Sequence, residues 1–275
     1  MTTDLRFGFG ENWARFLRHL TPSRIATAEA SLRDMLGVRD LVGKTFLDVG
    51  CGSGLFSLAA RRLGAKVHSF DYDAHSVGCA EQLRARYFPG DAAWTIERGS
   101  ALDAEYLRSL GVFDVVYAWG VLHHTGEMWR ALDLVSERVA ADGRLFIAIY
   151  NDQGTKSAFW RRVKQVYNRL PSVVHAPFVA GLMAPFELRV LAKSVLSGHG
   201  ERYVRSWTHY ESARGMSRWH DMVDWVGGYP FEVATVARLS EFHEQRGFRV
   251  DRVVPTGSLG CNELVMTRVG ARQPS

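Results

Sequence analysis

Thr45-Phe46-Leu47-Asp48-Val49-Gly50-Cys51-Gly52-Ser53-Gly54 is the stretch from which the fold is read. Its apolar run has the length of a buried strand, its alternate glycines make a turn, and Leu55-Phe56-Ser57-Leu58-Ala59-Ala60-Arg61-Arg62 reads as the helix that follows. Lacking a Cβ, Gly50, Gly52 and Gly54 let the backbone turn tightly and approach a ligand. The helix behind them presents N–H groups that no carbonyl of its own accepts. A strand, a glycine turn and a helix in this order form a nucleotide site.

The next strand, Ala65–Phe70, ends at Asp71, which lies 21 positions after Gly50. An acid near that distance accepts hydrogen bonds from ribose hydroxyls. The dinucleotide pattern G-x-G-x-x-G is absent, because the glycines alternate, and an acid, Asp48, stands just before them. This hydrophobic-Asp-hydrophobic-G-x-G-x-G run, with Asp71 behind it, resembles motif I of the class I S-adenosylmethionine-dependent methyltransferases. The resemblance implies S-adenosylmethionine as cofactor, held by Asp48, Gly50, Cys51, Gly52, Gly54, Asp71 and Tyr72.

Alternation of strands and helices continues through Ala74–Tyr87, Trp94–Glu97 and Phe113–Trp119, which predicts a parallel doubly wound sheet. Ligands of such sheets bind beyond the carboxyl ends of the strands. In the resembled family the turn after the third strand meets the adenine, which brings in Ser100, Ala101 and Leu102. Many relatives have Asp where this chain has Ser100, and Asp103 also reads as a helix cap. Trp119 and Gly120 close the fourth strand and count with the cofactor residues. The run Trp119-Gly120-Val121-Leu122-His123-His124 resembles motif IV of the small-molecule branch, which includes ubiquinone-pathway and natural-product O- and N-methyltransferases. A histidine here suits removal of a proton from an acceptor hydroxyl or ammonium. His124 is the first candidate and His123 the second, since adjacent side chains point in different directions. Both also read as structural histidines.

A helix is expected over Glu127–Ala141 and a fifth strand over Arg144–Tyr150. Asn151 and Asp152 follow, either orienting a histidine or binding substrate, or else forming a turn and cap. Residues 151–230 then form an insertion where a minimal fold would pass to its last helix. The segment opens with a helix over Thr155–Leu170, after which Pro171, Pro177 and Pro185 predict short pieces. It carries 11 Lys/Arg against 6 Asp/Glu, so the whole net charge of +5 resides there. Such an excess attracts acidic substrates or nucleic acid, or is a solvated helical surface. Eighty residues at the substrate end suggest a lid, with Asn151, Trp160, Arg214, His220, Asp221 and Tyr229 as substrate-binding candidates. Trp207, Trp219 and Trp225 read as its packing core.

The resulting plan is an N-terminal helical cover over 1–44, a cofactor-binding core over 45–150 and 231–268, the insertion over 151–230 and a tail over 269–275. Phe9 and Trp13 of the cover are candidates to fold over the cofactor, or are plain packing residues. The resemblance implies a seven-stranded α/β, Rossmann-like sheet of order 3-2-1-4-5-7-6 with strand seven antiparallel. Composition adds bounds. Hydrophobic residues at 47% and charged residues at 23% are ordinary globular values. Three cysteines without a C-x-x-C spacing argue against a disulfide framework or zinc site and fit a reducing cytoplasm. No apolar signal core or spanning segment is read. The expectation is metal-independent methyl transfer to O or N of a small, candidate-acidic acceptor, by a monomer or homodimer. Two alternatives stand beside it: a nucleic-acid methyltransferase using the basic insertion, and a non-catalytic S-adenosylmethionine-binding protein.

Overall fold

The computed structural model describes residue 17 and residues 20–208 and 218–269, apart from the side chains at 202, 220 and 221. Seven strands form one sheet of order β3-β2-β1-β4-β5-β7-β6, as expected. The strands are β1 Thr45–Val49, β2 Lys66–Asp71, β3 Trp94–Arg98, β4 Phe113–Trp119, β5 Val139–Tyr150, β6 Phe248–Val254 and β7 Cys261–Arg268. β1 to β5 run parallel, and β7 lies antiparallel between β5 and β6.

The alternation of side chains across a strand gives the sheet two buried faces. Phe46, Val115, Tyr117 and Phe146 pack with α1 (Pro22–Leu36), α2 (Leu55–Arg62) and α3 (Ala74–Tyr87). Leu47, Val116, Leu145 and Ile147 point the other way, toward α4 (Ala104–Ser109), α5 (Met128–Ser136) and α10 (Val236–Glu244). The insertion supplies α6 (Thr155–Tyr167), α7 (His175–Leu196), α8 (Gly200–Thr208) and α9 (Arg218–Gly227). It has a core of its own, built from Trp160, Val163, Tyr167, Val179, Met222, Val226 and Phe231. No described helix is long and apolar enough to cross a membrane.

The glycine turn is tight for two reasons. Gly50 has φ 69°, and a Cβ there would lie 2.4 Å from the Val121 side chain. Gly54 caps α2 with φ 78°, and a Cβ would meet the backbone of Ala80 on α3 at 2.9 Å. The turn is thereby wedged between β4's exit and α3, a fit that side chains would prevent.

Several element boundaries differ from those read in the sequence. α1 starts at Pro22 and is capped by Thr21, whose hydroxyl accepts from the Arg24 N–H. α5 stops at Ser136, because the Arg138 carbonyl accepts the Phe113 N–H and Val139 already pairs with β4. β5 then bends at Asp142, φ 58°, and resumes its register at Arg144. α6 ends at Tyr167 rather than Leu170, with Asn168 closing it against the Gly227 carbonyl. The prolines do not break the next segment into short pieces: α7 runs 22 residues through Pro177 and Pro185. Pro177 falls in the first turn, where its missing N–H has no helical acceptor, and Pro185 forfeits one hydrogen bond. The last helix begins only after Thr235, whose hydroxyl caps it.

The two kinds of glycine give opposite expectations. Gly54→Ala adds strain and a backbone clash, so it lowers stability by about 2 kcal/mol or more, a fall of roughly 4 °C in Tm. Gly78, inside α3 with open space around a Cβ, behaves oppositely. Gly78→Ala raises stability by about 0.5–1 kcal/mol. Thermal unfolding monitored by circular dichroism checks both.

Candidate functional site

The carboxyl ends of β1, β2 and β4 meet at the glycine turn. Gly50 and Cys51 both donate their N–H to the Phe70 carbonyl, at 2.8 and 3.0 Å. The Asp71 carboxylate takes the Gly52 N–H on one oxygen and the Asp73 N–H on the other, each at 2.9 Å. A carboxylate has about four acceptor positions, so these donors do not exhaust it. Burial raises the Asp71 pKa, and the backbone N–H groups of Asp73, Gly52 and Tyr72 oppose that rise.

Asp48 is 2% exposed and accepts the Ser57 hydroxyl of α2. Burial lifts its carboxyl to about 7; the Ser57 bond opposes this and the Asp71 charge adds to it. Tyr117 pairs with Asp48 across the β1–β4 register, and its buried hydroxyl finds no hydrogen-bond partner among the described residues. Tyr72 stands half exposed beside Asp71, with Arg98 stacked over its ring. The Ser100 hydroxyl accepts the Leu102 N–H and closes the turn after β3, with Ala101 buried within it. Asp103 caps α4 through the N–H groups of Glu105 and Tyr106. Trp119 ends β4 with 43% of its surface exposed and its indole N–H donated to Glu263. Among the described residues, nothing lies within 4 Å of where a Cβ would stand on Gly120.

On the other side of Gly120 a short 3-10 turn, Leu122–His124, carries both histidines. His123 is fully buried, its ring 4.1 Å from that of Tyr150 and 4.4 Å from that of His124. Burial holds it neutral, far below the usual histidine range. His124 donates from Nδ1 to the Pro230 carbonyl at 2.6 Å, an acceptor that cannot donate in return. That bond leaves the lone pair on Nε2. Burial pulls the His124 pKa down to about 4, with the Pro230 bond opposing and Lys164 assisting. Neither histidine titrates near neutral pH, contrary to the expectation from residue type alone.

Tyr150, Lys164, Trp225 and Phe231 complete this half of the site, and sequence reading passed over all four as site residues. Tyr150 closes β5 one position before the two residues singled out there, and its ring also contacts those of Trp225 and Phe231. Lys164 shares the buried face of α6 with Trp160, Val163 and Tyr167, a spacing visible in the sequence. It is 0% exposed, donates to the Trp225 carbonyl, and lies 4.4 and 4.9 Å from the Trp225 and Phe231 rings. Burial lowers its pKa to about 7, with Asp224 opposing.

Other expected site residues fall elsewhere. Asn151 is committed to structure: its amide donates to the Thr256 and Ser258 carbonyls and accepts from Asn262. Asp152 accepts the Gly154 N–H in an Asx turn, as its turn reading anticipated. Trp160 is a core residue of the insertion, packed on Trp225 at 5.3 Å. Tyr229 lies at the edge of the same core, with Gln165 donating to its hydroxyl. Trp219 and Trp225 pack there too, whereas Trp207 is 39% exposed under Arg218. Phe9, Trp13 and Arg214 lie outside the described residues, as do the side chains of His220 and Asp221. The basic excess of the insertion is partly spent internally, since Lys164 is buried and Arg218 pairs with Glu187.

A family model described as a methyltransferase domain matches residues 14–193. A ubiquinone biosynthesis O-methyltransferase from Paraburkholderia xenovorans (strain LB400) is 26% identical over 187 residues, 65% of this chain and 72% of that protein. A protein of the same name from Brucella ovis is 32% identical over 143 residues, 50% of this chain and 55% of its own length. The chain spans about half the length of several of the curated relatives it matches. Among solved structures, magnesium protoporphyrin IX methyltransferase from Synechocystis PCC 6803 with bound SAH superposes with a TM-score of 0.55 at 16% identity, covering 94% of this chain and 93% of that one. An O-methyltransferase family protein from Burkholderia thailandensis gives 0.53 at 15% identity, over 90% of this chain and 58% of that one. At these identities the structural likeness is one of fold.

The buried acid of β1 sets a pH dependence. Asp48 titrates at about 7 in the folded chain against an ordinary value of 3.8. The folded state therefore keeps a proton that the unfolded state has released. Stability from this group is full below about pH 4 and is lost as pH rises through about 7. Asp48→Asn removes that loss, so at pH 8 it unfolds later than wild type, by on the order of 3 kcal/mol. The difference vanishes by pH 4. Denaturant titrations at the two pH values check this.

Proposed function

The chain belongs to the methyltransferase domain family, and from that premise we propose that it methylates a hydroxyl oxygen of a small aromatic acceptor, with His124 taking the hydroxyl proton. The curated relatives bearing O-methyltransferase names support oxygen as the receiving atom. The residues of the glycine turn fit S-adenosylmethionine on their own geometry. The bare Gly50 lets the turn seat against Val121, and the Asp71 carboxylate, beside that turn, is the acceptor we assign to the ribose hydroxyls. Asp48 is an acid buried at the end of β1, suited to a cation. Tyr72 after β2 and the Ser100–Leu102 turn after β3 are the residues we assign to the adenine. When bound, S-adenosylmethionine supplies a methyl group on a sulfonium, ready for in-line displacement.

The chain's own contribution is position and proton removal. The observation that carries the reading is the His124–Pro230 hydrogen bond, because it fixes the tautomer that offers Nε2 as base. A histidine held neutral is available as base across the physiological range, although its low basicity limits the driving force. Tyr150, Trp225 and Phe231 give an apolar aromatic wall beside it, matched to a flat acceptor. We read residues 151–230 as the acceptor domain, closing over the core residues at 45–150 and 231–268. Internal use of Lys164 and Arg218 favours this over a nucleic-acid surface.

His124→Ala lowers kcat by about a hundredfold or more while S-adenosylhomocysteine affinity stays within about twofold. An unchanged kcat with a catechol-type acceptor removes His124 from the chemistry. The acid limb of kcat at saturating cofactor lies near pH 4 for the wild type, since His124 must be neutral to act and protonates only near there. A limb near pH 6.5 contradicts the assignment.

A further inference from the structure

Behind the glycine turn four polar side chains join in a line through the buried sheet. The Trp94 indole N–H donates to the Ser69 hydroxyl at 2.9 Å. Ser69 and Ser57 hydroxyl oxygens lie 2.7 Å apart, and Ser57 donates to Asp48. Ser57 and Ser69 are 0% exposed and Trp94 1%. Because Ser57 spends its proton on the carboxylate, Ser69 must donate to Ser57, and Trp94 can only donate to Ser69. The relay therefore runs one way, across β3, β2 and α2, and ends on Asp48 of β1.

Such a relay is costly unless its terminus has a task. A buried carboxylate needs a positive partner or several donors. Among the described residues, the groups facing Asp48 are Ser57 from α2, Ser69 and Asp71 from β2, Cys51 from the turn and Tyr117 from β4. Each of them is neutral or acidic. Ser57 supplies Asp48 with both its hydroxyl, aligned by the relay, and its backbone N–H, and neither brings a positive charge.

We propose that Ser57 is a positioning residue for cofactor capture, holding the Asp48 carboxylate through this relay for the amino-acid ammonium of S-adenosylmethionine. The inference rests on the cofactor reading above. It has a consequence for proton balance. Asp48 titrates at about 7 in the absence of a cation, and an ammonium beside it favours the ionised form. Capture at pH 7 therefore releases a proton from Asp48 to solvent.

The test compares two ligands by calorimetry: S-adenosylhomocysteine, which carries the ammonium, and 5′-methylthioadenosine, which lacks the amino-acid end. Ser57→Ala weakens S-adenosylhomocysteine by about ten- to a hundredfold at pH 7 and leaves methylthioadenosine within about twofold. The loss shrinks by pH 9, where Asp48 is ionised in both proteins. Wild-type titrations in phosphate and Tris report proton release with the first ligand and none with the second. Ser69→Ala, one link further out, shows the same selectivity with a smaller factor, and carries the test if Ser57→Ala does not fold. Equal weakening of both ligands, or of neither, overturns the proposal. A folded wild type that binds neither ligand overturns the cofactor reading instead.

Discussion

Three successive N–H groups of the glycine turn are all accepted by the end of β2. Gly50 and Cys51 donate to the Phe70 carbonyl, and Gly52 to the Asp71 side chain. The turn is thus tied to the neighbouring strand before any ligand arrives. Everything that makes the site follows from this strap. It points the N-terminus of α2 into the crevice, lays Asp71 beside the turn, and requires Gly50 and Gly54 to pack against Val121 and Ala80 with no Cβ between. The strap also joins the two halves of the site, since Val121 sits three residues before His124.

Around the strap the chain keeps ionisable groups in places where charge is expensive. Asp48 is raised to about 7, Lys164 is lowered to about 7 and His124 to about 4, each mainly by burial. A fold selected for stability alone would replace such groups with apolar ones of similar volume. Asp48 lies at the end of β1, His124 just beyond β4 and Lys164 on α6, and strongly perturbed groups of this kind tend to gather at functional sites. Lys164 further lowers the proton affinity of His124 beside the Tyr150–Trp225–Phe231 cluster, so His124 stays neutral there.

The core was legible because its signals are local. Gly50, Gly52, Gly54 and Asp71 are fixed by backbone conformation and strand length, which the sequence states directly. The acceptor half was not legible in the same way. Asn151 looked like a ligand and is instead the tie that holds the 256–260 loop, a contact between residues over 100 positions apart. Tyr150 was taken as the last residue of a strand, and only the arrangement of Trp225 and Phe231 around it gives it a role. Pro177 and Pro185 were read as breaks, yet tertiary packing against α8 and α9 keeps α7 continuous. Ser57 and Ser69 are ordinary residues in a helix and a strand, and their link to Asp48 exists only once three elements pack together.

The most direct measurement is a calorimetric titration of S-adenosylhomocysteine into the wild type and into Asp71→Ala. The account predicts a single site on the wild type, lost or weakened by about tenfold or more in the variant, because both the ribose acceptor and the Gly52 anchor are removed. A well-folded wild type that shows no binding, or a variant that binds as tightly as the wild type, contradicts the claim that this turn is built around the cofactor.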